Sequence, residues 1–235
     1  MKFFLRKIIS KFSKYSKIYD NAIDLVNIIK FHKIDIIFDV GASWGGYALT
    51  LRRFGYKNKI ISFEPVKQSH KKLIKNSIND KNWIVHNRVV VSDKNQKKID
   101  INVSKDFDNS SILELNDIHK ENHKDSKYTH KEEVLCESLN VLMSQYQINR
   151  QNLMLKIDVQ GYEMNVLNSC HNKLSLFKLV QLELSLQPLY KDQILYDKIL
   201  NFMKDIGFEI WSIYPGYKKK NIGQLYQFDV IFYKK

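Results

Sequence analysis

The stretch Ile36–Gly46, I-I-F-D-V-G-A-S-W-G-G, decides the fold. Ile34, Ile36, Ile37 and Phe38 form a short apolar run with β-branched members, bounded by turn residues, which predicts a buried strand. Asp39 stands at its carboxyl end, and Gly41, Gly45 and Gly46 bracket a tight loop. Tyr47, Leu49, Leu51 and Phe54 then begin a helix that Gly55 stops. Strand, glycine loop and helix make the opening half of a nucleotide-binding βαβ unit, in which the backbone must approach its ligand closely. A second apolar strand (Ile60, Ile61, Phe63) ends in Glu64-Pro65. An acid there can accept hydrogen bonds from both hydroxyls of a ribose.

The glycine spacing separates the possible ligands. A dinucleotide loop reads G-x-G-x-x-G, its second glycine making room for a pyrophosphate. Here it reads G-x-x-x-G-G, with Asp39 two residues ahead of the first glycine. An acid at that place suits an amino group better than phosphates. S-adenosylmethionine has a ribose, an amino-acid tail and no phosphate, so it is the ligand expected, ahead of NAD and of an ordinary strand-turn-helix with chance glycines.

At 235 residues the chain accommodates one α/β domain, and its 44% hydrophobic and 27% charged residues are those of a globular protein. No apolar run has the length of a bilayer span. Cys136 and Cys170 are far apart and lack ligand spacing, so neither a zinc site nor a disulfide framework is indicated, and a reducing cytoplasm is the simplest setting. The net charge of +13 invites a nucleic-acid reading. Most of it is lysine, spread through every segment and accompanied by heavy use of Ile and Asn, so a dedicated nucleic-acid surface is not favoured.

Residues 1–19 carry Lys2, Arg6, Lys7, Lys11, Lys14 and Lys17 without an acid, interleaved with Phe3, Phe4, Leu5, Ile8, Ile9, Phe12, Tyr15 and Tyr19. The spacing predicts a basic amphipathic helix, lacking the cleavage site of a secretory signal. It would either lie on an anionic membrane surface, at the inner face, or pack on the domain or a partner. A second helix over Ala22–Phe31 completes an N-terminal unit, 1–33, ahead of a single domain over 34–235. The further expectations are a helix at Val66–Ile78 and strands at Trp83–Val91, Lys98–Val103 and Val134–Glu137, the last two pairing as a hairpin insertion. Asn116–Lys131 reads as a mobile loop, with His119 and His123 solvated rather than zinc ligands. Leu139–Gln147 is expected as a helix, Leu153–Ile157 and Lys178–Glu183 as strands, and Tyr190–Ile206 as a helix ended by Gly207. Strands at Phe208–Ile213 and Tyr226–Phe232 close the chain.

Alternating strands and helices imply a largely parallel sheet, with ligands beyond the carboxyl ends of its strands. Four acids end strands: Asp39, Glu64, Asp158 and Glu183. With Glu64 on the ribose and Asp39 on the amino-acid end of the cofactor, Asp158 and Glu183 remain for the acceptor. Methyl transfer needs an aligned nucleophile and removal of its proton. A divalent metal on Asp158 and Glu183 would acidify a hydroxyl, though nothing else in the sequence supports one. The plain alternative for Asp158 is a cap on the following helix. Glu163, in that helix's first turn, is stabilised there whatever its role.

F-D-V-G-A-S-W-G-G, I-S-F-E-P, N-R-V-V-V-S-D-K, D-N-S-S and L-K-I-D-V-Q-G-Y-E-M-N-V-L, in that order, resemble the FkbM-type methyltransferases over roughly residues 34–170, and Q-F-D-V-I-F at 227–232 resembles the family's last strand. The resemblance implies a Rossmann-like class I methyltransferase fold, an α/β three-layer sandwich with strand order 3-2-1-4-5-7-6 and a reversed seventh strand. It also implies S-adenosylmethionine and O-methylation of a hydroxyl, often on a sugar of a glycan. Carried over by position, Asp39, Gly41, Ser43, Glu64 and Asn87 bind the cofactor, with Ala42, Gly45, Ser110 and Asp158 in the same set. Asn109, Ser110 and Ser111 match a polar turn bordering the site, and Asp158, Glu163 and Asp229 the recurring acids. Asp158, Glu183 and Glu163 are then the candidates for catalysis. Two departures stand out: Ser43-Trp44, where the family usually has Asn first, and Gln160, where it usually has Glu. The leading expectation is a sugar O-methyltransferase of surface-polysaccharide assembly. An RNA methyltransferase is weaker, because no N-P-P-Y-type block follows the fourth strand. Against a non-catalytic relative that binds a partner stands the retention of both cofactor acids.

Overall fold

The computed structural model describes residues 20–94, 97–122, 126–146, 148, 151–219 and 222–235. The basic segment 1–19 and His123 lie outside the described residues. A helix, α1, covers residues 20–31. It is followed by β1 (Ile36–Val40), α2 (Gly46–Arg53), β2 (Lys59–Phe63), α3 (Lys67–Ser77), β3 (Trp83–Val85), β4 (Val90–Val91), β5 (Lys98–Ser104), α4 (Asp117–Asn122) and β6 (Tyr128–Glu137). Next come α5 (Leu139–Ser144), β7 (Leu153–Ile157), α6 (Glu163–Ser169), β8 (Phe177–Ser185), α7 (Tyr196–Asp205), β9 (Phe208–Pro215) and β10 (Gln227–Lys234).

Seven strands form one sheet in the order β3-β2-β1-β7-β8-β10-β9, and only β10 runs antiparallel to its neighbours. This is the order that the family resemblance implied. The strands read as continuous apolar runs because both sheet faces are covered. Ile36, Phe38 and Val40 point to the side packed by α5, α6 and α7, while Ile37 joins Ile60, Met154 and Ile231 under α1, α2 and α3. The core therefore has two halves, one on each side of the sheet. β1 lies between β2 and β7, so the chain's progress across the sheet reverses at its carboxyl end, where such sheets bind ligands.

Four expectations change. Trp83–Val91 is not one strand: β3 stays in the main sheet, while β4 leaves it to pair with β6 in a second sheet of order β4-β6-β5. The break falls at Arg88, whose guanidinium bonds the Pro65 carbonyl and pairs with Glu132. The stretch 116–131 is not simply a mobile loop, since it holds α4 and the start of a ten-residue β6. His119, expected in solvent, is 2% exposed and lies edge-on to Tyr190 with ring centroids 5.2 Å apart. The α7 helix begins at Tyr196 rather than Tyr190, because Tyr190 is fully buried in a small cluster with Leu115, Leu189 and Tyr226.

Candidate active site

A cleft opens at the carboxyl ends of β1, β2 and β7, between the main sheet and the β4-β6-β5 sheet. It encloses ≈ 840 Å³ of empty space, its open mouth included. Its apolar lining includes Val66, Val89, Val90, Val91, Ile101 and Ile112. Its polar lining is Ser43, Glu64, Asp108, Ser110, Ser111, Asp158 and Gln160, beside the Gly41 backbone. Apolar walls with a few convergent polar groups are the usual make-up of a small-molecule site.

The glycine loop forms its floor. Gly41 has φ +76°, and a β-carbon there would lie 1.8 Å from the Asp158 carbonyl oxygen, so the backbones of the β1 and β7 ends touch. Ser43, also left-handed at φ 47°, donates its N–H to Glu64 Oε2 at 2.8 Å, and Val66 N–H donates to Glu64 Oε1 at 2.8 Å. Both oxygens of Glu64 are thereby aimed and each keeps a lone pair. Burial pushes this carboxyl up to about 7, against the pull of those two N–H groups. Ser43 Oγ donates to Asp108 Oδ1 at 2.8 Å, tying the loop to the turn between β5 and β6 across the mouth. Five described non-glycine residues have positive φ, and three of them (Ser43, Phe107 and Gln160) line the cleft. Backbone strain is concentrated where ligands would be gripped.

Asp158 faces the cleft from the end of β7, with about a third of its side chain exposed. Gln160 is its clamp. The Gln160 amide nitrogen donates to Asp158 Oδ1 at 2.7 Å and to Glu183 Oε2 at 3.2 Å, while its oxygen accepts the Tyr190 hydroxyl at 2.8 Å. Ser111 Oγ donates to the Gln160 carbonyl at 2.7 Å. Behind them, burial pushes Glu183 well above the usual carboxylate range, with Asp158 and Asp229 adding repulsion, and burial raises Asp229 to about 6. The Asp158–Glu183 pair does not fit a divalent metal, because an N–H donor occupies the space a cation would share between them. Among the described residues, no group of three or more His, Cys, Asp or Glu could hold a metal ion.

The structure brings Gly41, Ser43, Glu64, Ser110, Ser111 and Asp158 together on the cleft wall and leaves the other candidates off it. Asp39 is 0% exposed behind the wall, accepting from Ser62 Oγ at 3.1 Å and paired with Lys156 Nζ at 3.2 Å, so its carboxylate does not reach a ligand directly. Ala42 packs into the core under α1 and α2. Gly45 is a packing glycine, where a β-carbon would meet the Trp83 ring at 2.7 Å. Asn87 is exposed and lines no part of the cleft. Glu163 is 2% exposed and accepts from Gly161 N–H at 3.0 Å and Val159 N–H at 3.3 Å, so it braces the 159–161 turn instead of touching a substrate. Glu183 stands one residue behind Asp158, reached through Gln160. The cap alternative for Asp158 also falls, because α6 starts at Glu163 and its N-cap, Tyr162, makes no side-chain cap.

Sequence reasoning missed Lys156 and Asp108. Lys156 Nζ donates to the Gly41 carbonyl at 2.9 Å and stands between Asp39 at 3.2 Å and Asp158 at 3.7 Å. Burial pulls this ammonium down, but Asp39 and Asp158 outweigh it and hold it at about 12. A signal existed: a lysine and an aspartate at matching places in two adjacent apolar strands, paired in register. Asp108 lay inside the D-F-D-N-S-S turn with nothing to single it out from Asp106.

The profile of the methyltransferase FkbM domain matches residues 39–210. No curated protein matches the chain in sequence. Among solved structures, the magnesium protoporphyrin IX methyltransferase ChlM of Synechocystis PCC 6803, with S-adenosylmethionine bound, superposes with TM-score 0.52 at 9% identity, covering 94% of this chain and 80% of that one. A candidate O-methyltransferase from Klebsiella pneumoniae gives TM-score 0.50 at 8% identity, covering 92% and 80%. At such identities the likeness is one of fold.

Proposed function

Because the chain belongs to the FkbM methyltransferase family, we propose that its cleft binds S-adenosylmethionine and that the enzyme methylates a hydroxyl, on a sugar of a surface polysaccharide or related glycan. The observation that carries this is Glu64 and Asp158 facing one cleft from the ends of adjoining strand pairs, with the glycine loop between them. Glu64 would hold the ribose, both of its oxygens being pre-aimed by backbone N–H groups. The close approach of Gly41 to the end of β7 keeps the loop free of side chains beside Asp158. The cofactor supplies a methyl group on a sulfonium sulfur. Asp158, aimed by Gln160 and Lys156, would orient the acceptor hydroxyl and take its proton late in the displacement, since a hydroxyl is by far the weaker acid. Asp108, Ser110 and Asp158 give the mouth the hydrogen-bond acceptors that a polyol needs. The basic segment 1–19 would hold the enzyme against an anionic inner-membrane face, where lipid-linked glycans are built.

Calorimetric titration with S-adenosylmethionine tests the first half. Binding is expected in the wild type and lost in Glu64→Ala. Mass analysis of glycans from cells with and without the protein tests the second, the expected difference being one CH₂ per modified residue. Unchanged glycans together with intact cofactor binding would remove the sugar acceptor and keep the enzyme class.

A further inference from the structure

A second groove leaves the cleft mouth along the start of α3. Phe107 is a wall of both, and Lys67, Gln68, Lys71, His130 and Glu132 line the rest. The sequence of α3, K-Q-S-H-K-K-L-I-K-N-S, contains no acid. Lys67, Lys71 and Lys75 recur every four residues and so share one stripe. Lys72 lies beside it, Nζ 5.6 Å from the Phe107 ring centroid. Glu132 is the one acid lining the groove, and its charge is already engaged: it accepts from Lys67 N–H at 3.0 Å, pairs with Arg88, and has His130 Nε2 at 3.5 Å. Among the described residues no carboxylate pairs with the ammonium groups of Lys67, Lys71 or Lys72.

Phe107 is presented by a built turn. Its φ of 65° is left-handed, and Asp106 holds the turn by accepting from Ser104 Oγ at 2.7 Å and Asn109 Nδ2 at 2.6 Å. The neighbouring Asp108 is fastened to the glycine loop through Ser43. An aromatic ring flanked by ammonium groups that no carboxylate of the described residues neutralises matches a sugar ring carrying a strong anion, lysine being a point-charge partner for phosphate.

We propose that this groove binds the phosphate of a glycosyl phosphate acceptor, with the sugar packed on Phe107 and one hydroxyl directed into the cleft. The proposal rests on the methyltransferase reading of that cleft. A nucleotide-linked and a lipid-linked sugar share this chemistry.

The probe is inorganic pyrophosphate, titrated calorimetrically into the full chain and into the double variant Lys71→Glu/Lys72→Glu. Saturable binding is expected in the wild type and should weaken by roughly tenfold or more in the variant, as two charge-assisted contacts are reversed. Titration of each with S-adenosylmethionine reports whether the cleft itself is intact. Uridine diphosphate and geranyl pyrophosphate then distinguish the sources, the tighter binder marking a nucleotide-linked or a lipid-linked acceptor. No pyrophosphate binding, or equal binding by both proteins, overturns the proposal. So does single-stranded RNA binding through the same lysines where pyrophosphate fails. Pyrophosphate binding without any S-adenosylmethionine binding keeps an anion groove but overturns its role as an acceptor site, and shows that it is the methyltransferase reading that failed.

Discussion

Asp158 is held from two sides, by the Gln160 amide at 2.7 Å and the Lys156 ammonium at 3.7 Å. An asparagine would keep the first contact through its carbonyl and lose the negative charge. Asp158→Asn is therefore expected to bind S-adenosylmethionine nearly normally in calorimetry and to lose transfer; full transfer would leave Asp158 without a role in proton removal. Glu163 makes a second prediction. Burial raises its carboxyl to about 7 from an ordinary 4.5, so between those values the folded protein binds more protons than the unfolded one. Its stabilising contribution is complete below about 4.5 and is lost as pH rises through 7, a change on the order of 3 kcal/mol. Glu163→Gln cannot titrate, so relative to wild type it should gain stability from pH 5 to pH 8 in urea unfolding. Parallel curves for the two proteins would show that Glu163 does not titrate in this window. At this scale the sequence disclosed chemistry but not orientation. Glu64 and Asp158 could be read from their places at strand ends. Asp39 read as a strand-end acid too, yet it lies inside β1, paired in register with Lys156 of the next strand, so its direction is set by the two-residue alternation and by that partner.

The elements were most legible where both faces are buried. β1, β2, β7 and β8 announce themselves as apolar runs ending in an acid, and they carry the site. The second sheet was harder to read, because V-V-V continues the apolar pattern of β3 while Arg88 and Glu132, 44 residues apart, redirect the chain. A long-range ion pair has no local signature. β6 was under-read for a related reason: its first half, Y-T-H-K-E-E, is polar on both sides and gains its partner only from β5. The meeting of β1 and β7 yields a prediction at this scale. Gly41→Ala would put a methyl group 1.8 Å from the Asp158 carbonyl at a φ of +76°, forcing the strand ends apart. A loss above roughly 3 kcal/mol is expected from the combined clash and backbone strain. Denaturant unfolding measures it, and a change within about 0.5 kcal/mol, the range of an ordinary surface substitution, would mean that the two backbones do not touch.

Over the whole molecule, the charge of +13 is not uniform in kind. The α3 lysines stand beside the cleft, whereas Lys2, Arg6, Lys7, Lys11, Lys14 and Lys17 belong to an acid-free segment with alternating aromatic and aliphatic residues. No helix among the described residues is long and apolar enough to cross a membrane. The attachment proposed for residues 1–19 is electrostatic and interfacial. Each lysine or arginine near an anionic leaflet contributes about 1 kcal/mol, screened by salt. Six of them, together with apolar surface entering the interface, are enough for reversible binding of a domain to vesicles. The full chain is therefore expected to sediment with vesicles containing phosphatidylglycerol, to be released as salt is raised, and to ignore neutral phosphatidylcholine vesicles. The chain from residue 20 onward should stay in the supernatant under all these conditions while still binding S-adenosylmethionine. Sedimentation of both forms alike would move the attachment to the lysines of the domain itself, and sedimentation of neither would remove the membrane from the picture.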